Sequence, residues 1–264
     1  MNGELLYGIN GAIFSLVLFV ILTVTIRLGC HFGLRKQAGI NDAGRSQFAS
    51  IQGAVLGLLA LLLGFTFAMT VSRFDARKQL VLEEANAIGT AFLRAQLLPE
   101  PNRSEIAGLL RRYVDVRLLF YEAGIDEKKL RETNDQSERI QRQLWSQATA
   151  VAKLDKRAVT TGLFIQTLNE VIDLHAKRIT AMQNHVPESI ILLLCLVAIL
   201  SLGLTGYGCG LAGQRHVIVT TTMAILIVAV IYLIIDLDRP RRGLIKVSQK
   251  SMIDLRESIN KATR

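Results

Sequence analysis

Four stretches of the chain carry no charged residue for long enough to cross a bilayer, and they constrain its fold more than any other feature. They run over Ile9–Ile26, Phe48–Val71, Ser189–Ala212 and Val217–Ile235. A hydrocarbon core of roughly 30 Å needs about 20 residues of helix. The fourth is rich in β-branched residues, yet a lone strand in lipid would leave its backbone polar groups unpaired, so it too reads as a helix. With 50% hydrophobic and only 20% charged residues in 264, and a mean hydropathy of +0.34, disorder and an ordinary soluble domain are both excluded.

The net charge is +9, which raises the question of nucleic acid. Divided by segment, the charge is +3 for the first loop and its flank, +3 for Arg73 to Pro187, and +4 from Asp236 onward. The excess lies beside apolar blocks, where basic residues orient spans and meet anionic lipid. A nucleic-acid partner is therefore not expected. Cys30, Cys195 and Cys209 lie in or beside the spans, forming neither a disulfide framework nor a zinc pattern. Met1-Asn2-Gly3-Glu4 lacks a basic n-region, so the first span is expected to be retained and not cleaved as a signal peptide.

Four spans place both termini and the long insertion on one side. That side carries Arg73, Arg77, Lys78, Lys177, Arg178, Arg239, Arg241, Arg242 and Lys246 near the membrane, against Arg27, Arg35, Lys36, Arg45 and Arg215 opposite. The positive-inside bias assigns the larger set to the cytoplasm. The expected organisation is spans 1 and 2 in 1–72, a cytoplasmic helical domain in 73–187, spans 3 and 4 in 188–238, and a basic cytoplasmic tail in 239–264.

The insertion is helical by pattern. No turn cluster separates the second span from Arg73–Leu98, so one helix is expected to continue past the bilayer for roughly 70 Å at about 1.5 Å per residue. Pro99-Glu100-Pro101 stops it. Asn102 and Glu105 resemble a capping box opening a second helix, whose positions Leu109, Leu110, Tyr113, Val114, Arg117, Leu118 and Tyr121 recur at helical spacing up to Gly124. Asp126–Leu154 and Asp155–His185 read as two more helices.

In the second span Gly53, Gly57, Ala60, Gly64 and Ala68 form a stripe at i, i+4, i+7, i+11 and i+15. Small residues let helices approach closely in lipid, where hydrophobicity supplies no association. The same stripe is compatible with one face lining an apolar pore that gates by dewetting. Periodicity alone leaves both readings open.

Leu63-Gly64-Phe65, followed by Arg73-Phe74 eight residues after the phenylalanine, resembles the pore-lining second helix of bestrophins, pentameric anion channels with a Leu-Gly-Phe before an Arg-Trp at that spacing. Over the whole chain the sequence resembles a bacterial bestrophin-like membrane family of unknown function. The resemblance rests on Val71-Ser-Arg-Phe-Asp75, Glu83-Glu-Ala-Asn-Ala-Ile-Gly-Thr-Ala91, Leu97-Leu-Pro-Glu-Pro101, Arg111-Arg-Tyr-Val114, Asn169-Glu170 with Asp173, and Ile235-Asp-Leu-Asp-Arg-Pro-Arg-Arg-Gly243.

The resemblance implies a neck at Phe65, Leu61 and Gly57, with Gly57 departing from the bulky residue expected there. It also implies a homo-oligomer, a pentamer by analogy, and a multi-pass protein of the bacterial inner membrane. The channels' acidic calcium clasp finds only Asp236 and Asp238, expected to pair with the arginines that follow. Arg239, Arg241 and Arg242 are expected at lipid headgroups or between subunits.

Thr205-Gly-Tyr-Gly208 looks like part of a potassium filter but lacks the preceding pore helix, and Gly203, Gly206, Gly208 and Gly210 are expected to serve close packing. Glu83, Glu84, Glu170, Asp173 and His175 superficially suggest a di-metal bundle, but the Glu-x-x-His pairing is absent. No nucleotide-binding, hydrolase or zinc-protease motif occurs, so no enzyme, cofactor or metal is expected. The spans contain no ionisable group between their ends, unlike proton-coupled carriers.

The expected fold is therefore all-α and bestrophin-like, with four spans and a helical domain inserted between spans 2 and 3. The expected function is an oligomeric ion channel for inorganic anions, with Phe65 and Leu61 as its apolar gate and Arg73 at the cytoplasmic entrance. The alternative is a non-conducting scaffold or signalling protein whose helical domain binds a cytoplasmic partner.

Overall fold

The computed structural model describes residues 10–154, 158–213, 216–241 and 243–262. Among these, eight α-helices and one short 3₁₀ turn account for the secondary structure. They are α1 (Gly11–Lys36), α2 (Asp42–Ala95), α3 (Asn102–Glu122), α4 (Glu127–Leu154), α5 (Ala158–Gln183), α6 (Glu188–Leu211), α7 (Val217–Leu237) and α8 (Lys250–Ala262). Four helices among the described residues are long and apolar enough to cross a membrane.

The expected continuation of the second span is present: α2 runs for 54 residues without interruption. Pro99 and Pro101 follow its end, where proline can neither donate to a continuing ladder nor avoid the preceding turn. At the far end of α3, Gly124 adopts φ +57, a left-handed conformation that suits glycine and turns the chain toward α4.

The capping box expected at Asn102 and Glu105 does not form. Pro101 occupies the cap position without a side-chain bond. The Asn102 amide instead donates to Gln147 Oε1 at 2.6 Å, and the Gln147 amide donates to Glu105. Glu100 supplies the acceptor, taking the Ser104 N–H at 3.2 Å and the Ser104 hydroxyl at 3.0 Å. Those bonds, the side-chain one foremost, hold the Glu100 carboxyl below the usual range.

The chain divides into two compact units, residues 1–72 with 185–239 and residues 73–184 with 240–264. The first is built on an intimate pair, α1 and α6. A Cβ on Gly206 would lie 2.2 Å from the Ile26 carbonyl oxygen, one on Gly33 2.2 Å from that of Tyr207, and one on Gly29 2.3 Å from that of Gly203. Backbone meets backbone there, the arrangement small residues allow in lipid. Leu18, Leu22 and Ile26 of α1 pack with Leu59 and Leu63 of α2, Ile191, Leu194, Ala198 and Leu202 of α6, and Ala224, Ile227, Ile231 and Ile234 of α7.

Four span hydroxyls are satisfied locally: Thr66 donates to the Leu62 carbonyl, Thr70 to Thr66, Ser201 to Val197 and Thr205 to Ser201. Each bonds one turn back along its own helix, which removes the cost of an orphaned hydroxyl in an apolar setting.

The second unit is a helical bundle of 73–95 of α2 with α3, α4, α5 and α8. Its core takes Ile88, Ala91, Phe92 and Ala95 from α2, Ile106, Leu110, Tyr113 and Val114 from α3, Leu144, Ala148 and Val151 from α4, Phe164, Leu168 and Val171 from α5, and Met252 and Ile259 from α8. These positions recur every three or four residues, the period of a helix with one apolar face.

Candidate functional site

In the first unit, α2 buries one stripe and leaves another open. Leu59, Leu63, Thr66 and Thr70 face inward. Gly53, Gly57, Ala60, Leu61, Gly64, Phe65 and Ala68 are exposed in the protomer. Phe65 is 66% and Leu61 54% exposed. A Cβ added at Gly53, Gly57 or Gly64 would meet nothing within 4 Å.

Close glycine packing within the protomer joins α1 and α6, while the three glycines of the α2 stripe meet no neighbour within 4 Å among the described residues. Gly203, Gly206 and Gly210 were legible as packing positions; their partners Gly29 and Gly33 were missed, although they repeat at i, i+4 in the first span and its flank.

Arg73 follows Thr66 and Thr70 at i+7 and i+3 along α2, on the inward side of the helix and not on the open stripe, and is half-buried. Its Nη1 donates to the Asn184 backbone carbonyl at 3.2 Å and to Asn184 Oδ1 at 3.3 Å. One turn on, Arg77 is buried and donates from Nε to the Ala181 carbonyl at 2.9 Å and from Nη2 to the Asn184 carbonyl at 2.9 Å. Two arginines thus satisfy carbonyls at the end of α5 and hold Arg73 in place, a cationic cap favoured at a helix C-terminus.

A separate cavity of about 450 Å³ in the first unit is lined by Arg27, Cys30 and His31 of α1, Cys209 of α6, and His216 and Thr220 at the start of α7, and includes none of the neck residues.

The second unit contains a charged core built from Glu84, Arg117 and Arg178. Glu84, expected only as one of several helical carboxylates, is fully buried and accepts from Arg117 Nε at 2.8 Å and Nη2 at 3.4 Å, and from Arg178 Nη1. Arg178, counted among membrane-boundary charges, is 2% exposed. Burial by itself would raise the Glu84 carboxyl, but the Arg117 and Arg178 guanidiniums outweigh it and hold it at about 2. A carboxylate engaged by two guanidiniums is not available to a metal.

Tyr113 Oη donates to Glu84 at 3.3 Å and accepts from Gln141 Nε2 at 3.0 Å. His175 lies beside Tyr113, with ring centroids 6.4 Å apart. Burial, reinforced by Arg117, pushes His175 down to about 4, so it is neutral at physiological pH.

Asp236, Asp238 and Arg239 at the end of the fourth span are buried. Asp238, expected to pair with the following arginines, accepts the Val186 N–H at 2.7 Å and faces His185 Nδ1 at 3.5 Å. Its own backbone carbonyl lies 2.9 Å from His185 Nδ1. Arg239 is 8% exposed. Arg241 stacks over the Phe120 ring at 4.6 Å and points Nη2 at Met182 Sδ, 3.0 Å away. Arg242, Arg215 and the N-terminal Met1–Glu4 lie outside the described residues.

A family model described as the Bestrophin-like domain matches residues 14–252. No curated protein matches the chain. Crystal structures of a bacterial bestrophin homologue from Klebsiella pneumoniae share the fold. One single-substitution variant has a TM-score of 0.70 at 17% identity, covering 100% of this chain and 99% of that one. Another has 0.69 at 17%, covering 95% and 98%, and a further structure has 0.68 at 18%, covering 96% and 98%.

Proposed function

The chain belongs to the bestrophin-like family, and on that premise we propose that it is an oligomeric ion channel conducting inorganic anions along an axis lined by α2. The single observation that carries the reading is the open face of α2: small residues with nothing within 4 Å at Gly53, Gly57 and Gly64, interrupted by Leu61 and Phe65 at 54% and 66% exposure. Lipid-facing helix surfaces need bulky aliphatic side chains to cover the backbone, whereas glycine and alanine faces are those that meet another helix or a water-filled path. A ring of copies, five by analogy with bestrophins, would place Phe65 and Leu61 as two successive apolar rings.

Such a neck resists wetting, and the ions that cross it most readily are those that shed water easily, which favours large monovalent anions. Arg73, held by Asn184 at the end of the apolar run, raises the local anion concentration at the entrance. The side of the bilayer that it faces follows from the basic flanks, which act during insertion and place the N-terminus, helical domain and tail in the cytoplasm of a bacterial inner membrane.

Purified protein in planar bilayers tests the proposal. Currents are expected to reverse near the chloride equilibrium potential under a salt gradient, and Phe65→Ala is expected to raise conductance by widening and wetting the neck. Absence of current from both the unaltered protein and Phe65→Ala would overturn conduction and leave a membrane scaffold. Reversal near the cation potential would overturn anion selectivity.

A further inference from the structure

The interior of the helical bundle holds more positive charge than its carboxylate neutralises. Arg117 and Arg241 both lie against the Phe120 ring, 5.1 Å and 4.6 Å from its centroid, Arg117 and Arg178 share the two oxygens of Glu84, and both of these arginines act electrostatically on Arg241. The electrostatic influences on Arg241 are those of Arg117, Arg178 and Tyr121, with no carboxylate among them. Among the described residues, Glu84 is the carboxylate that acts on Arg117 and Arg178. Gln249 Oε1 accepts from Arg178 Nη2 at 3.0 Å, and His175 and Tyr113 are neutral.

Donors are also left over. Arg117 Nη1, Arg178 Nε, Arg241 Nε and the Tyr121 hydroxyl are shut off from solvent and have no hydrogen-bond partner among the described residues. Arg117 and Arg178 are only 1% and 2% exposed. The acceptor for Arg241 Nη2 is a thioether sulfur, a weak one. Guanidinium groups do not lose their proton in proteins, so the imbalance cannot be relieved by neutralisation. Buried charges without counter-ions are costly, and native proteins avoid them by pairing.

We propose that the bundle binds a small inorganic anion, of halide size, among Arg117, Arg178, Arg241 and Tyr121, as the missing counter-ion of this cluster. One N–H from each of three guanidiniums and one hydroxyl are single donors, which suit a spherical anion better than the paired donors that grip an oxyanion. The anion is structural: it ties α3 and α5 to the segment after α7 by neutralising charges from all three. Burial, with Arg117 and Arg178, pushes Arg241 down to about 10, and an anion beside it would reverse that direction. The site lies within the second unit and does not depend on conduction, so its failure leaves the channel proposal standing and the reverse.

Thermal unfolding of the full-length protein in detergent, followed by Trp145 fluorescence, is compared in sodium chloride, sodium bromide and sodium gluconate at equal ionic strength. Chloride and bromide are expected to raise the apparent Tm by a few degrees, saturably, over gluconate, which is too large to enter. Arg241→Met, at a half-buried position, is expected to abolish the difference. Crystals grown in bromide are expected to show anomalous density within hydrogen-bond distance of Arg117 Nη1 and Arg178 Nε, which decides the matter even if the variant does not fold. Equal stability in the three salts with no bromide density would overturn the proposal, as would a non-saturating rise unaffected by Arg241→Met, or an acidic side chain of a neighbouring copy occupying the position.

Discussion

Arg117 Nε donates to Glu84 Oε1 at 2.8 Å, and neither side chain reaches solvent. With Arg178 on the second oxygen, Glu84 is the sole carboxylate among the described residues that acts on both arginines. Removing its charge leaves two guanidiniums buried against a neutral amide. Glu84→Gln is therefore expected to cost about 3–5 kcal/mol, and replacing Arg178 by Met in the same chain is expected to restore part of that loss. Denaturation of the three proteins in detergent measures both effects. Equal stability of Glu84→Gln and the unaltered protein would show that the pair contributes little.

Two glycine substitutions should part company. Alanine at Gly206 would press its Cβ onto the Ile26 carbonyl at 2.2 Å, a backbone atom on a packed helix that cannot step aside. Separation of α1 from α6 is expected to cost about 1–3 kcal/mol. Alanine at Gly57 meets nothing within 4 Å in the protomer, so its Tm should match that of the unaltered protein. A bulky Gly57→Leu that leaves the protomer folded but alters assembly or current would report a neighbour outside the chain.

His175 makes stability depend on pH. Its folded-state value of about 4 lies below the ordinary 6.5 because of burial first and Arg117 second. As pH falls, the unfolded chain takes up the proton first, so stability is fully present above about 6.5, declines down to about 4 and is flat for this group below that. The decline is expected to reach about 3 kcal/mol. Glu84, held at about 2 against an ordinary 4.5, has the same sign in a lower window, its contribution being lost from about pH 4.5 toward 2. His175→Phe should flatten only the upper window in a pH series of unfolding curves.

Charge reversal at Arg73 tests the entrance. Its Nη1 bonds to Asn184 are half-exposed in character and modest in strength, so Arg73→Glu is expected to fold. In bilayers it is expected to lower chloride permeability relative to sodium several-fold, because a like charge at the mouth repels the permeant ion. An unchanged reversal potential would remove Arg73 from the conduction path.

Local sequence was enough to read the four apolar helices, the uninterrupted α2, its stop before Pro101 and the helices of the insertion. Each depends on information held within a few residues: a charge-free run, a helical period, a proline that cannot donate, a glycine at φ +57. The exposed face of α2 was legible in part for the same reason, since glycine and alanine spacing defines a face; what that face meets was not.

Tertiary structure alone decided which charges enter the interior. Arg117 appeared at a core-facing position of α3, yet nothing local distinguishes an arginine that meets Glu84 from one that snorkels to water. Arg178 looked like a boundary charge, and nothing local marks Asp238 as the acceptor of the Val186 N–H. Glu84 and Arg178 are 94 positions apart, and Asp238 and the Val186 N–H are 52 apart. A buried charge is paid for by a partner that only folding brings near, and its residue type is the same whether that partner exists or not. Local chemistry wrote the helices; long-range pairing chose the glycines that touch and the arginines that are enclosed.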